Sequence, residues 1–172
     1  MVKIAETELP IHAVRKLLAA PGQDRFPVKL KRILVPTDLT NQSDKPIEFG
    51  VVLAKLFRAH LTLLHVYQDP YYAVAYVLGP QAQDPALRDR TFFEDALNTI
   101  VRDVQKEYSD CDGEFRDGVP CEEIVQTAKE RDIDLIVIST HHYNWLTRLA
   151  FGCDAEQILR HAPCPILVLP AK

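Results

Sequence analysis

The feature that most constrains this chain is a series of apolar runs only three to six residues long, separated by stretches with helical periodicity. The runs are Ile33-Leu34-Val35, Leu61 to Val66, Leu135 to Ile138 and Ile166 to Leu169. Leu135 to Ile138 is unbroken and rich in β-branched residues, which suits a strand covered on both faces, as in a parallel sheet. Between the runs, apolar residues recur at three- and four-residue spacing. They are Ile47, Val51 and Ala54, then Phe93, Ala96, Leu97, Ile100, Val101 and Val104, then Ile124, Val125 and Ala128, and finally Ala155, Ile158 and Leu159. Ser43 is the expected N-cap of the first of these helices, with Pro46 tolerated in its first turn. Glu114 to Arg116 is a short polar strand candidate toward an edge, and Gly118-Val119-Pro120 turns the chain after it. The last run is bracketed by Pro163, Pro165 and Pro170, which limits open-ended pairing at a sheet edge. Strands alternating with helices predict an α/β fold, a five-stranded parallel open sheet with right-handed crossovers and helices on both faces.

A chain of 172 residues that is 47% hydrophobic and 26% charged fits one globular domain with extra length at an end. Its net charge of −4 is spread in mixed signs, and no Lys/Arg cluster marks a nucleic-acid surface. The apolar runs fall far short of the ~20 residues that a membrane span requires. The opening MVKIAETELP lacks the continuous apolar block of a secretory signal, so a cytoplasmic protein is expected. Cys111, Cys121, Cys153 and Cys164 show neither a CxxC pair nor a repeated spacing, and reduced thiols are expected.

Residues 1–30 form an extension in which Ile11, Val14, Leu17 and Leu18 follow Pro10 at helical spacing until Pro21-Gly22 stops them. So short an amphipathic helix needs something to cover, either this domain or a neighbouring subunit. The segment from Tyr67 to Arg90 carries Tyr71, Tyr72 and Tyr76 among Pro70, Pro80 and Pro85. Leaving a strand's carboxyl end, it can serve as a lid over a ligand or pack on the domain or a partner.

In open α/β sheets ligands sit beyond the carboxyl ends of the strands, where helix N-termini offer N–H groups to anions. Pro36-Thr37-Asp38 stands at one such end. Two roles are open to Asp38: accepting from a ribose hydroxyl or holding a metal near phosphates, or bonding its own loop's N–H groups. At another end Ser139 and Thr140 lead into His141, His142, Tyr143 and Asn144, and Gly152-Cys153-Asp154 opens the next helix. His141, His142 and Cys153 are chemically suited to a soft divalent metal, although adjacent histidines diverge from an extended strand. Cys153 with His142 as base would make a thiol nucleophile, but no third orienting group is identifiable. No catalytic residue and no metal ligand is assigned.

Taken together, ILVPTDLT, LTLLHV, GVPCEEIVQTAKERDIDLIVIST and FGCDAEQILRHAPCPILVLP resemble the universal stress protein family over residues 31–172. The resemblance implies an adenine-nucleotide alpha hydrolase-like sheet of order 3-2-1-4-5. It also implies a homodimer joined through Ile166, Leu167, Val168 and Leu169. ATP-binding members carry a loop of Gly-x2-Gly-x9-Gly followed by Ser or Thr. Here Ser139, His142, Gly152 and Cys153 stand at those four positions, so only Gly152 matches. Loss of the glycines takes away backbone freedom and close approach to phosphates, while Cys153 is a weaker donor than a hydroxyl. Pro36, Thr37, Asp38 and Val66 match positions that in the family lie around base and ribose. The expectation is a binding or regulatory module with a degraded ATP loop and no turnover. The alternatives are an AMP- or ATP-binding protein using the same crevice, or a thiol- or metal-dependent enzyme at His141, His142 and Cys153.

Overall fold

The computed structural model describes residues 29–40, 43–68, 90–139 and 155–170, within which strands and helices alternate as expected. The order is β1 (Arg32–Pro36), α1 (Asp44–Phe57), β2 (His60–Tyr67), α2 (Arg90–Glu107), β3 (Cys111–Asp117), α3 (Pro120–Glu130), β4 (Leu135–Ser139), α4 (Ala155–His161) and β5 (Ile166–Leu169). All pairings are parallel, and the strands lie side by side as β3-β2-β1-β4-β5. β1 is therefore central, and the chain reverses its direction across the sheet between β1 and β4. Pro10 to Leu18 and the tyrosine-bearing loop lie outside the described residues.

The apolar runs are continuous because each strand buries both faces, and alternate side chains divide between two cores. Ile33, Val35, Leu61 and Leu63 meet Ile47, Val51 and Ala54 of α1 and Leu97 and Val101 of α2. Leu34, Leu64, Ile136 and Ile138 meet Ile124, Val125 and Ala128 of α3 and Ile158 of α4. Full burial of each such aliphatic side chain contributes ~1.5–3 kcal/mol. Gly50 lets α1 lie close on the sheet, since a Cβ there would stand 2.7 Å from Val35 Cγ2. The Asp134 carboxylate, just before β4, accepts from the backbone N–H of Lys31 (2.7 Å) and Arg32 (3.0 Å), fixing where β1 begins.

Two elements differ in detail from the sequence expectation. β3 runs for seven residues, well beyond Glu114 to Arg116. Cys111, Gly113 and Phe115 face α2, whereas Asp112, Glu114 and Arg116 project on the other side and break the apolar pattern. Those charges are tied to α3 and its end: Arg131 pairs with Asp112 and Glu114, and Arg116 with Glu114, Glu123 and Glu130. Burial would raise the Asp112 pKa, but hydrogen bonds from Arg131 and Thr62 hold it below the usual carboxylate value. In α4, Ile158 is buried as expected but Leu159 is 50% exposed, because the short helix turns a narrow face to the sheet.

Candidate functional site

The topology brings the carboxyl ends of β2, β1 and β4 together where the chain reverses, which is where open α/β sheets place their ligands. Pro36 of β1 pairs with Leu64 of β2, so two residues further along each strand Asp38 stands level with Val66. Leu34 pairs with Ile136 of β4, and Ser139 ends β4 three residues further on. Five of the sequence-selected residues, Pro36, Thr37, Asp38, Val66 and Ser139, thus share one edge. His141, His142, Gly152, Cys153 and Asp154 lie outside the described residues, between the ends of β4 and α4.

The turn after β1 is built around Asp38. Its Oδ1 accepts from the Thr40 N–H (3.0 Å), the Thr40 hydroxyl (2.8 Å) and the Ser43 hydroxyl (2.6 Å). In return the Asp38 N–H donates to Ser43 Oγ at 3.1 Å. Leu39, between them, sits at φ 61°, and its N–H donates to Thr37 Oγ1. These bonds are those of the second role considered for Asp38, organising its own loop. Ser43 occupies the N-cap position, yet its side chain makes no capping bond. The Ser43 backbone is itself helical (φ −84°, ψ −9°), whereas a capping residue is extended, and its Oγ accepts from the Asp38 N–H instead. Sequence reasoning missed Thr40 and Ser43 as partners of Asp38, although Asp-x-Thr after a strand is an Asx-turn signal.

The strand beneath is equally ordered. Thr37 is buried and its N–H donates to Leu64 O at 2.8 Å. His65 lies 2.9 Å from Thr37 O through Nδ1, and since a carbonyl only accepts, Nδ1 carries the proton. Burial pushes the His65 pKa below 6.5, against the opposing pull of that bond and of Asp38. Its ring stacks on Phe93 at 5.7 Å and tilts against Phe115, so a neutral imidazole is clamped under the loop. The sequence marked this histidine only as part of a strand. Val66 points to the opposite side and packs against the α3–α4 core.

At the end of β4, Ser139 is 2% exposed and its Oγ has no hydrogen-bond partner among the described residues. A buried hydroxyl left unpaired loses ~1–3 kcal/mol, and the Thr127 hydroxyl within α3 is in the same condition. The free cysteines among the described residues, Cys111 and Cys164, lie at the amino ends of β3 and β5, away from this edge. Burial raises Cys111 to about 12, and Cys164 is also raised by burial. Cys121, 1% exposed at the start of α3, is disulfide-bonded, so the expectation of reduced thiols fails there. Among the described residues no group of three His, Cys, Asp or Glu side chains is arranged to hold a metal, and no helix is long and apolar enough to cross a membrane.

Comparison with known proteins agrees with this architecture. A model of the universal stress protein family matches residues 29–170. The universal stress protein MJ0531 of Methanocaldococcus jannaschii is 27% identical over 140 residues, covering 81% of each chain. The structure of the universal stress protein UspA from Lactobacillus plantarum superposes with a TM-score of 0.63 at 28% identity, covering 82% of this chain and 98% of that one. A universal stress protein solved in complex with cAMP shares the fold at 17% identity and a TM-score of 0.62, covering 84% of this chain and 99% of that one.

Proposed function

This chain belongs to the universal stress protein family, and from that premise we propose that it is a cytoplasmic regulatory module that binds an adenine nucleoside bearing a short phosphate and does not turn it over. The observation that carries the proposal is Ser139. Its hydroxyl is buried and has no hydrogen-bond partner among the described residues, at the carboxyl end of the strand beside β1. Where ATP-binding relatives place the first glycine of their loop, this residue adds a Cβ and a hydroxyl. That narrows the approach of backbone amides to a polyphosphate and offers one hydrogen bond to a ribose or a single phosphate instead. Pro36, Thr37, Asp38 and Val66 retain the residue types that surround base and ribose in the family. His142 and Cys153 depart from the loop in the same direction as Ser139. The neighbour that holds cAMP, a nucleoside with one phosphate, supports a ligand of this class.

Calorimetric titration tests the proposal. AMP or cAMP is expected to bind at least tenfold more tightly than MgATP, about 1.4 kcal/mol. The double variant Ser139→Gly/His142→Gly, which restores the motif glycines and leaves every cysteine in place, should recover MgATP affinity. Micromolar MgATP binding by the unaltered protein would refute the degraded loop.

The same proposal includes a homodimer through Ile166, Leu167, Val168 and Leu169. β5 pairs only with β4 among the described strands, and Val168 is 37% exposed on that open edge. Native mass spectrometry is expected to show two copies for the unaltered chain and one for Val168→Lys. A monomer in both cases would remove the dimer from the proposal.

A further inference from the structure

His65 is a buried polar ring inside the apolar run of β2. Leu61 and Leu63 of that strand turn toward α1 and α2, and by alternation His65 lies on the same side. Its ring is nearly parallel to Phe93 of α2, at 8° with centroids 5.7 Å apart, and meets Phe115 of β3 at 5.5 Å. A phenyl ring would fill that space as well. What the imidazole adds is one donor, the Nδ1–H that reaches Thr37 O at 2.9 Å.

That bond falls on the hinge between strand and turn. The Thr37 N–H still donates into the sheet, to Leu64 O, while its hydroxyl accepts from the Leu39 N–H of the turn. The Thr37 carbonyl and the Asp38 N–H belong to one planar peptide. His65 holds that plane at the carbonyl, and Ser43 Oγ holds it at the N–H, 3.1 Å away. The Asp38 carboxylate can gather Thr40 and Ser43 only with the peptide so oriented.

A proton gained at Nε2 would find no acceptor among the described residues, between two phenyl rings. Titratable and charged groups on the elements packed here are Asp38 of the turn, Tyr67 of β2, Arg90 and Glu94 at the start of α2, and Asp117 at the end of β3. Arg90 lies over Phe115 and pairs with Glu94 and Asp117. Asp38 is left as the carboxylate that draws on a charged His65, at the expense of its bonds to Thr40 and Ser43. Burial outweighs that attraction and favours the neutral ring.

We propose that His65 is a positioning residue of the ligand site: its neutral ring sets the peptide between Thr37 and Asp38, and protonation of the ring disturbs the turn and weakens binding. This rests on the reading that the edge takes an adenine nucleoside with one phosphate. Calorimetry with cAMP from pH 7.5 to 5 tests it, because the phosphodiester and the adenine of cAMP keep their charge across that range. Affinity is expected to hold near neutral pH and to fall by up to roughly tenfold per pH unit once the ring titrates. His65→Asn, whose side-chain N–H can replace the Nδ1 donor without titrating, should bind with no such fall. His65→Phe, which keeps the stack and loses the donor, should bind weakly at every pH. In the ligand-free protein, NMR should show the amide signals of Asp38, Leu39 and Thr40 following the same pH curve as the His65 ring. An affinity unchanged while the ring titrates, an equal fall in His65→Asn, or turn amides that ignore the ring would overturn the proposal. Failure of cAMP to bind at pH 7.5 would instead remove the nucleotide reading, and the ligand-free titration still decides whether His65 sets the turn.

Discussion

Replacing Ser43 separates two accounts of the loop after β1. Its side chain is 1% exposed, donates to Asp38 Oδ1 at 2.6 Å and accepts from the Asp38 N–H at 3.1 Å. Ser43→Ala removes both bonds, one to a charged acceptor worth ~1.5–3 kcal/mol and one neutral bond worth ~0.5–1.5 kcal/mol. Asp38 is only partly buried and keeps two donors from Thr40, so water offsets part of the loss. A net cost of ~2 kcal/mol follows, or about 4–8 °C in Tm for a chain of this size. Ser43→Asp is the decisive variant. Were Ser43 an ordinary N-cap, aspartate would serve as well, with a helix-dipole gain of ~0.3–1 kcal/mol. In this loop the new carboxylate faces that of Asp38, and two like charges ~4 Å apart near a surface repel by roughly 4 kcal/mol before one takes up a proton. The expected order of stability at pH 7.5 is therefore wild type, then Ser43→Ala, then Ser43→Asp. Near pH 4.5 the gap between the two variants should narrow as the carboxyl pair shares a proton. Urea unfolding followed by circular dichroism at both pH values measures this. A Ser43→Asp variant as stable as wild type at pH 7.5 would refute the account.

Two further outcomes follow from the core. Gly50→Ala gains ~1 kcal/mol of helix propensity but drives a Cβ to 2.7 Å from Val35 Cγ2 and 3.3 Å from Leu61 Cδ1. Overpacking of ~1–3 kcal/mol should win, and differential scanning calorimetry is expected to show Tm lower by a few degrees, not higher. His65, whose native pKa lies below its unfolded value of 6.5, makes stability depend on pH. Stability associated with the neutral ring is present above 6.5 and is lost as the pH falls through that value toward the lowered native pKa, because the unfolded chain binds the proton first. The urea midpoint should therefore drop between pH 7 and 5.5, and His65→Gln should flatten that drop.

The sheet was legible in the residues because burial on both faces leaves an unmistakable run, as in Leu135 to Ile138. The helices were legible because one buried side leaves a period, as in Leu97 and Val101. Side-chain partnerships were not. Ser43 carries the right chemistry for an N-cap, but its backbone is already helical and its Oγ accepts from the N–H of Asp38, five residues earlier. Arg131 reaches Asp112 and, 69 positions away in sequence, Thr62, so nothing local marks those three as a unit. His65 looked like one more strand residue until the fold set it beneath Thr37 O and between Phe93 and Phe115. The strand ends could be selected from sequence because their location follows from topology alone. The unpaired hydroxyl of Ser139 could not, since an absent partner leaves no trace in a residue pattern.

The salt links along β3 bear on how large an assembly can become. A new strand arriving at that margin would have to settle beside Arg116, Glu114 and Asp112, whose charges are already neutralised within the molecule, and it would find no greasy seam to close upon. The margin at β5 is aliphatic instead, with Val168 37% exposed, Ile166 and Leu167 partly buried and Leu169 buried. If the proposed pairing through β5 holds, a sheet that can be lengthened from that side only runs out of sites once a second copy has been added.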